Sequence, residues 1–484
     1  MKGFQKCSRR FQHSAIPFDI TRIPNFTKYS AVKPINEELA PYVVETMKAF
    51  PSRSKHVNQQ HYYHNWEVLI KSYAQKRPHP MSLTQLAQYY DDSTKLTKQK
   101  IINSGKFVRE ELAIRMAHKL SLLQQLPFCV VNNFHFVQVY ESYYNIFERF
   151  RKFPQIQTLE DNSRFADFSS RILRDYNTLN LPHLVMGALE CTALGLYPQD
   201  KMDALLSDLL RARISRRLIV EEHVSITNNY LSGKKENKLV LGDIFQKCAA
   251  KDYILDASRA CQRFIQDMYY DKVPLPELII NGDVGLKFYF LPIHLRYLLY
   301  EILRNAYEAT TKEFIRRGLD RPEPIVVTII QNRESFLFRI SDRAGGFPYN
   351  DRNIWSFGKS KEKARESLSN FHKLPGLQTV SIYDHLEPNE NTPSLNKPYM
   401  NTSLDPLDHS SLTDSGLQFE KPLVKLLERS HRYKLGIGLA MCKVYADYWN
   451  GDLTLHSIQG YGTDVVLKLG NLMNHTSKLQ MDRV

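Results

Sequence analysis

From about Asn36 to Thr227 apolar side chains return at helical spacing, while β-branched runs and hairpin turns are nearly absent. Leu83 and Leu86 with Tyr89 and Tyr90, then Val108, Leu112 and Ile114, show the i, i+3, i+4, i+7 pattern of an amphipathic helix. Helices of that kind bury their apolar stripe against one another, so this half is expected to be a helical bundle. Ser82 is an expected N-cap for the segment opening at Leu83, and further helices are expected at about 133–150, 164–178, 200–219 and 220–229. The short polar run from Leu231 to Lys238 reads as a linker.

Beyond the linker the texture becomes mixed. Helices are expected at about 243–270 and 292–316, then strands at 325–331 and 336–342 around a turn at Asn332–Ser335. A helix near 438–449, a strand at 452–458, a Gly460/Gly462 turn and a strand at 463–469 close the domain. The expected fold class is therefore an N-terminal helical bundle followed by an α/β sandwich. Its domains are residues 36–230 and 239–473, flanked by 1–35 and the tail 474–484. An insertion at about 361–431 is rich in Ser, Asn, Pro and Leu, and stretches such as Glu387–Pro393 carry too little apolar surface to order themselves.

Composition excludes several classes. The hydrophobic fraction is 43% and the charged fraction 24%, both ordinary for a globular chain, and no apolar run is long enough for a transmembrane helix. The six cysteines are scattered without a C-x-x-C pair, which argues for reduced, buried thiols rather than a disulfide framework or a structural zinc site. The net charge of +14 is spread along the chain with no aromatic-interleaved basic stripe, so no nucleic-acid partner is expected. Residues 1–18 carry Lys2, Lys6, Arg9 and Arg10 with Ser8 and Ser14 and no acidic residue before Asp19, the composition of a mitochondrial transit peptide.

Four short pieces carry the chemistry. Glu301 and Asn305 stand four apart on the helix opened by Pro292 and closed by Gly318, and so project from one face, with Leu298, Leu299, Ile302 and Leu303 on the other. The carboxamide oxygen is a hard donor suited to Mg²⁺, and the carboxylate can take a proton from an attacking hydroxyl. Ile340–Gly346 places Asp342 at the end of an apolar strand before a glycine turn, where it can accept from an exocyclic adenine amine. Leu435-Gly436-Ile437-Gly438 runs into a helix whose unpaired N–H groups suit phosphate. Thr463, after Gly460-Tyr461-Gly462, can complete the base contacts. No acidic residue follows where a dinucleotide fold needs one.

Together, in this order, the pieces resemble the N, G1, G2 and G3 boxes that unite histidine kinases, gyrase-like topoisomerases, Hsp90 and MutL. Over most of its length the chain resembles one branch, the mitochondrial pyruvate dehydrogenase kinase and branched-chain 2-oxoacid dehydrogenase kinase family. The likeness rests on Pro80–Leu86, Phe107–Ala117, Arg213–Leu218 with Glu222-His223, and Gly451-Asp452-Leu453 through Asp464. It implies a GHKL-type nucleotide domain whose lid would be the insertion at about 361–431, far longer here than is usual in the family. It also implies a protein serine kinase using ATP and Mg²⁺ on the decarboxylase subunit of the pyruvate dehydrogenase complex, with the branched-chain complex as the alternative substrate. Glu301 would be the general base and Asn305 the Mg²⁺ ligand. ATP would be held by Glu301, Arg304, Asn305, Asp342, Gly346, Ser360, Gly436, Ile437, Gly438, Leu439 and Thr463. Docking on a lipoyl-bearing acyltransferase core, a homodimer or heterodimer, and a matrix location are further implications.

The chain departs from the family pattern at several points. Arg304 replaces the usual Lys, Ala344 the first glycine after Asp342, and Lys434 a position that is often glycine. Tyr297 stands where pyruvate dehydrogenase kinases usually carry a His, and a Tyr there is more similar to the branched-chain kinase; His294 lies one turn further away. The tail 471–484 lacks the Asp-Trp pair many of them use in dimer contacts. Two other readings stay open: a two-component-type histidine kinase phosphorylated on His223, and an ATP-binding scaffold without transfer activity.

Overall fold

A computed structural model describes residues 65–79, 96–131, 133–233, 244–347, 354–372, 423, 426–427, 429 and 433–473. The expected presequence, the Ser82 cap, Cys7, Glu387–Pro393 and the tail beyond 473 lie outside the described residues. So does most of the linker. The chain divides into two compact units: of the described residues, 65–79, 102–209 and 357–372 belong to the first, and 96–101, 210–356, 423, 426–427, 429 and 433–473 to the second.

The first unit is helical. A π-helical stretch, Asn65–Ala74, is followed by α1 (Lys98–Gln124), α2 (Phe128–Val131), α3 (Phe134–Lys152) and α4 (Leu159–Leu194). α5 (Gln199–Leu231) begins here and ends in the second unit, while α8 (Lys361–His372) belongs to the first. Asn133 starts α3 by accepting from the amides of His135 and Phe136 at 3.0 and 3.3 Å. α4 opens with a reciprocal capping box between Thr158 and Asp161 and stops at Gly195, which is left-handed at φ 65°. Its core side is aromatic, with Phe150, Phe153, Phe165 and Phe168 packed ring on ring.

Two helix boundaries in the N-terminal half differ from expectation. The helix expected at 164–178 runs through Pro182 to Leu194, because Leu184, Val185, Met186, Leu189 and Cys191 continue its buried face. The helices expected at 200–219 and 220–229 are one helix, α5; a buried Arg217–Glu221 pair at 2.7 Å spans the expected break. The first part of the expected lid, 361–372, is helix α8 rather than irregular chain.

The second unit is built on a five-stranded sheet in the order β2-β4-β5-β7-β6. β2 (Leu278–Gly282) runs parallel to β4 (Ile325–Gln331). β4, β5 (Ser335–Asp342), β7 (Gly462–Gly470) and β6 (Asp452–Ile458) pair antiparallel in that order. α7 (Pro292–Arg317) packs on α6 (Ala250–Tyr269), on α9 (Gly438–Tyr448) and on β4 and β5, and α9 packs also on β6 and β7. Alternation along β4 buries Ile325, Val327 and Ile329. Residues 246–249, expected to be helical, form β1, which pairs with β3 (Lys287–Phe290). α7 begins at Pro292 and ends on Gly318 at φ 62°, as its punctuation predicts. Its apolar residues are not confined to one face: it is buried through most of its circumference, and Glu301 is 2% exposed while Asn305 stands exposed.

Candidate active site

Register brings the adenine-side pieces together. β5 and β7 pair so that Asp342 stands opposite Thr463. The Asp342 carboxylate accepts from the Ala344 amide at 3.0 Å and from the Thr463 amide. Burial raises its pKa to about 6, against those two donors, which lower it. Thr463 and Ser457 hydroxyls lie 3.2 Å apart, and Ser457 Oγ accepts from the Phe347 amide at 2.8 Å. Gly346, at φ 57°, passes so close to the Ile458 carbonyl that any Cβ there would collide with it. Ala344 is absent from the positive-φ residues, so its methyl group costs no backbone strain and the missing glycine is explained.

On the phosphate side Gly436 turns the chain at φ 68°, Ile437 is the N-cap and α9 starts at Gly438. No side-chain cap closes this end, which leaves its first N–H groups for an acceptor. A Cβ on Gly438 would run into Glu301 Oε2, so the first residue of α9 lies directly against the candidate base. Leu439 follows as the second residue of the helix, half-buried.

α7 grips the chain that returns to this loop at three points one turn apart. Glu301 takes a bidentate ion pair from Arg429, with Nη1 to Oε1 at 2.6 Å and Nη2 to Oε2 at 2.7 Å. Arg304 donates to the Tyr433 carbonyl at 3.4 Å, and Glu308 pairs with Lys434 at 2.6 Å. Two departures from the family pattern thus have a structural account. Arg304 and Lys434 tie the loop to the helix, and Arg304 is buried rather than open to solvent. Burial, then the Arg429 charge, lowers the Arg304 pKa. Burial alone would do the same to Arg429, but the facing Glu301 outweighs it and raises the pKa of that guanidinium. Both partners of the ion pair are buried, at 4% and 2% exposure.

Other candidates fall elsewhere. Tyr297 is fully buried with its hydroxyl on Met441 Sδ at 3.5 Å, and burial raises its pKa far above the ordinary value. His294 accepts from Trp449 Nε1 at 3.0 Å and stacks on Tyr445, a place in the core. Ser360 lies in the first unit, where its hydroxyl accepts from the Lys363 amide at the start of α8. His223 is 1% exposed, and burial lowers its pKa to about 4, a poor position for a phosphoacceptor. Arg429 was not predicted from the sequence. The signal was Leu423, Leu426 and Leu427 at helical spacing just before it; all three are buried.

Comparison with known proteins identifies the family of the chain. Residues 80–245 match the family model described as mitochondrial branched-chain alpha-ketoacid dehydrogenase kinase. The chain is 67% identical, over the full length of both, to [pyruvate dehydrogenase (acetyl-transferring)] kinase 2, mitochondrial, of Saccharomyces cerevisiae. It is 24% identical to human isozyme 4 of that kinase, covering 84% of this chain and 85% of the relative. It is also 24% identical to the Arabidopsis thaliana mitochondrial enzyme, covering 78% and 87%. The chain belongs to the mitochondrial family of pyruvate dehydrogenase and branched-chain alpha-ketoacid dehydrogenase kinases.

Proposed function

We propose that this chain is an ATP- and Mg²⁺-dependent protein serine kinase of the mitochondrial matrix that phosphorylates, and so inactivates, the decarboxylase subunit of the pyruvate dehydrogenase complex. The observation that carries the reading is the closeness of the Glu301 carboxylate to the N-terminus of α9. A proton acceptor there adjoins the N–H groups best suited to hold a phosphate chain.

Each residue has a task that follows from its setting. Asp342, ionised, accepts from the adenine amine, and Thr463 lies beside it on the paired strand. Gly346 lets the flat base approach the backbone. The amides of Ile437, Gly438 and Leu439 face the phosphates. Asn305, exposed on α7, offers the oxygen for Mg²⁺, which when bound neutralises phosphate charge and orients the chain for in-line attack. Among the described residues no group of three His, Cys, Asp or Glu side chains could hold a metal, so the ion would depend on Asn305 and substrate oxygens. Glu301 takes the proton of the serine hydroxyl as its oxygen bonds to the γ-phosphorus and the bond to ADP breaks.

The identity to the yeast enzyme across the whole chain favours the pyruvate complex, while the family model and Tyr297 point to the branched-chain complex. Docking on a lipoyl-bearing acyltransferase core and dimer formation, with itself or a related kinase, are part of the same proposal. To choose between substrates, purified chain is incubated with γ-labelled ATP, Mg²⁺ and each recombinant decarboxylase subunit. The expected result is acid-stable phosphoserine on the pyruvate enzyme in clear excess over the branched-chain one. Label confined to the branched-chain subunit, or acid-labile label on the kinase itself, would overturn it.

A further inference from the structure

The ion pair between Glu301 and Arg429 sets a chemical problem. A carboxylate held by two guanidinium N–H bonds at 2.6 and 2.7 Å, both groups almost wholly buried, has both oxygens engaged and presents neither to a serine hydroxyl. The arrangement seen in the structure is therefore not the one that performs proton transfer. Arg429 also carries a donor without a use: its Nε is buried and has no hydrogen-bond partner among the described residues. Glu301 Oε2, which accepts from Arg429 Nη2, is the same oxygen that lies against Gly438, so the guanidinium stands beside the N-terminus of α9. A buried cation with a spare donor next to an anion-binding helix end is suited to a second, more highly charged partner.

We propose that Arg429 exchanges partners during catalysis, leaving Glu301 for the γ-phosphate when ATP fills the Gly436–Gly438 loop. The exchange rests on the reading of Glu301 as base. Before nucleotide binds, Arg429 neutralises a carboxylate that would otherwise be buried and unpaired. On the γ-phosphate it holds the transferring group and frees Glu301. The serine oxygen then bonds to phosphorus, the bond from phosphorus to the ADP oxygen breaks with its electron pair going to ADP, and the hydroxyl proton passes to Glu301. The Arg304–Tyr433 and Glu308–Lys434 contacts tie Tyr433 and Lys434 to α7, and the exchange is a movement of the Arg429 side chain.

The discriminating quantity is the preference for ATP over ADP, since only ATP has the γ-phosphate. Equilibrium binding of each nucleotide with Mg²⁺ is measured on the full chain and on Arg429→Met, Arg429→Lys and Glu301→Gln. Arg429→Met is expected to weaken ATP roughly ten- to a hundredfold, the size of a lost charge-assisted bond, with ADP affected far less. Arg429→Lys, which keeps the charge but cannot span both oxygens, should fall between and serves if the Met variant does not fold. Glu301→Gln releases Arg429 and should bind ATP more tightly than wild type. Equal losses for ATP and ADP in both Arg429 variants, unchanged or tighter ATP binding in either, or weaker ATP binding in Glu301→Gln would overturn the exchange. If Glu301→Gln shows the tighter binding yet still phosphorylates serine, the exchange stands and the assignment of the base fails.

Discussion

Asp342 shows how a single buried carboxyl can set a pH dependence. Its pKa, raised to about 6 by burial, leaves it ionised at neutral and alkaline pH and protonated in mild acid. Only the ionised form accepts from an adenine amine without competing for a proton of its own. ATP affinity is therefore expected to be flat above pH ~7 and to fall as pH drops through about 6. Asp342→Asn should weaken ATP roughly ten- to a hundredfold and flatten that acid limb, which titration calorimetry at several pH values would test. For folding the sign is reversed. A carboxyl whose pKa is raised above the ordinary 3.8 costs stability when charged, and the cost is relieved as pH falls through its folded value. Asp342→Asn should thus melt no lower than wild type at pH 8. Of the residues at this scale, Asp342, Gly438 and Thr463 were legible in the sequence because each sits at or next to a punctuated element end, and Glu301 because it stands one turn from Asn305 in the middle of α7. Arg429 was not, because its role comes from a contact 128 positions away.

At the scale of elements, periodicity and punctuation located α7, α9, β4 and β6 to within a residue or two. Pro292 and Gly318 bracket α7, and the strands alternate over seven or eight residues. The short strands β1, β2 and β3 escaped notice. Four or five residues give too little alternation to separate from a helix end or a loop, and β1 is stabilised by its pairing to β3 rather than by its own sequence. At Pro182 and at the Arg217–Glu221 pair the opposite holds, and a continuous buried face carries the helix past its expected end. The capping box of α4 is a separable element-level contribution. Thr158→Ala should lower unfolding free energy by about 1 kcal/mol, seen as a lower melting midpoint. The first unit holds α4 whereas Glu301, Asp342 and Gly438 belong to the second, so ATP affinity should not change. A parallel loss of ATP binding would show that the cap acts on more than its own helix.

For the whole molecule, the change of texture near residue 231 marked a helical half and a mixed α/β half, and the structure contains both kinds of architecture. Assignment of segments to compact units was less legible: 210–231 groups with the sheet-bearing unit and 357–372 with the helical one. Sequence order does not reveal such returns, since they depend on which surface a segment packs against. Reaction class is a property of this level too, combining full-length identity to a mitochondrial kinase with a carboxylate set against a helix N-terminus. The burial of His223 argues against the histidine-kinase reading that the sequence alone left open. The measurement that bears most directly on the account is the rate of phosphoserine formation on the pyruvate decarboxylase subunit by Glu301→Gln, at ATP concentrations shown to saturate the variant. A fall of at least about a hundredfold with ATP still bound, the contribution expected of a general base, is the predicted result; transfer at the wild-type rate would contradict it.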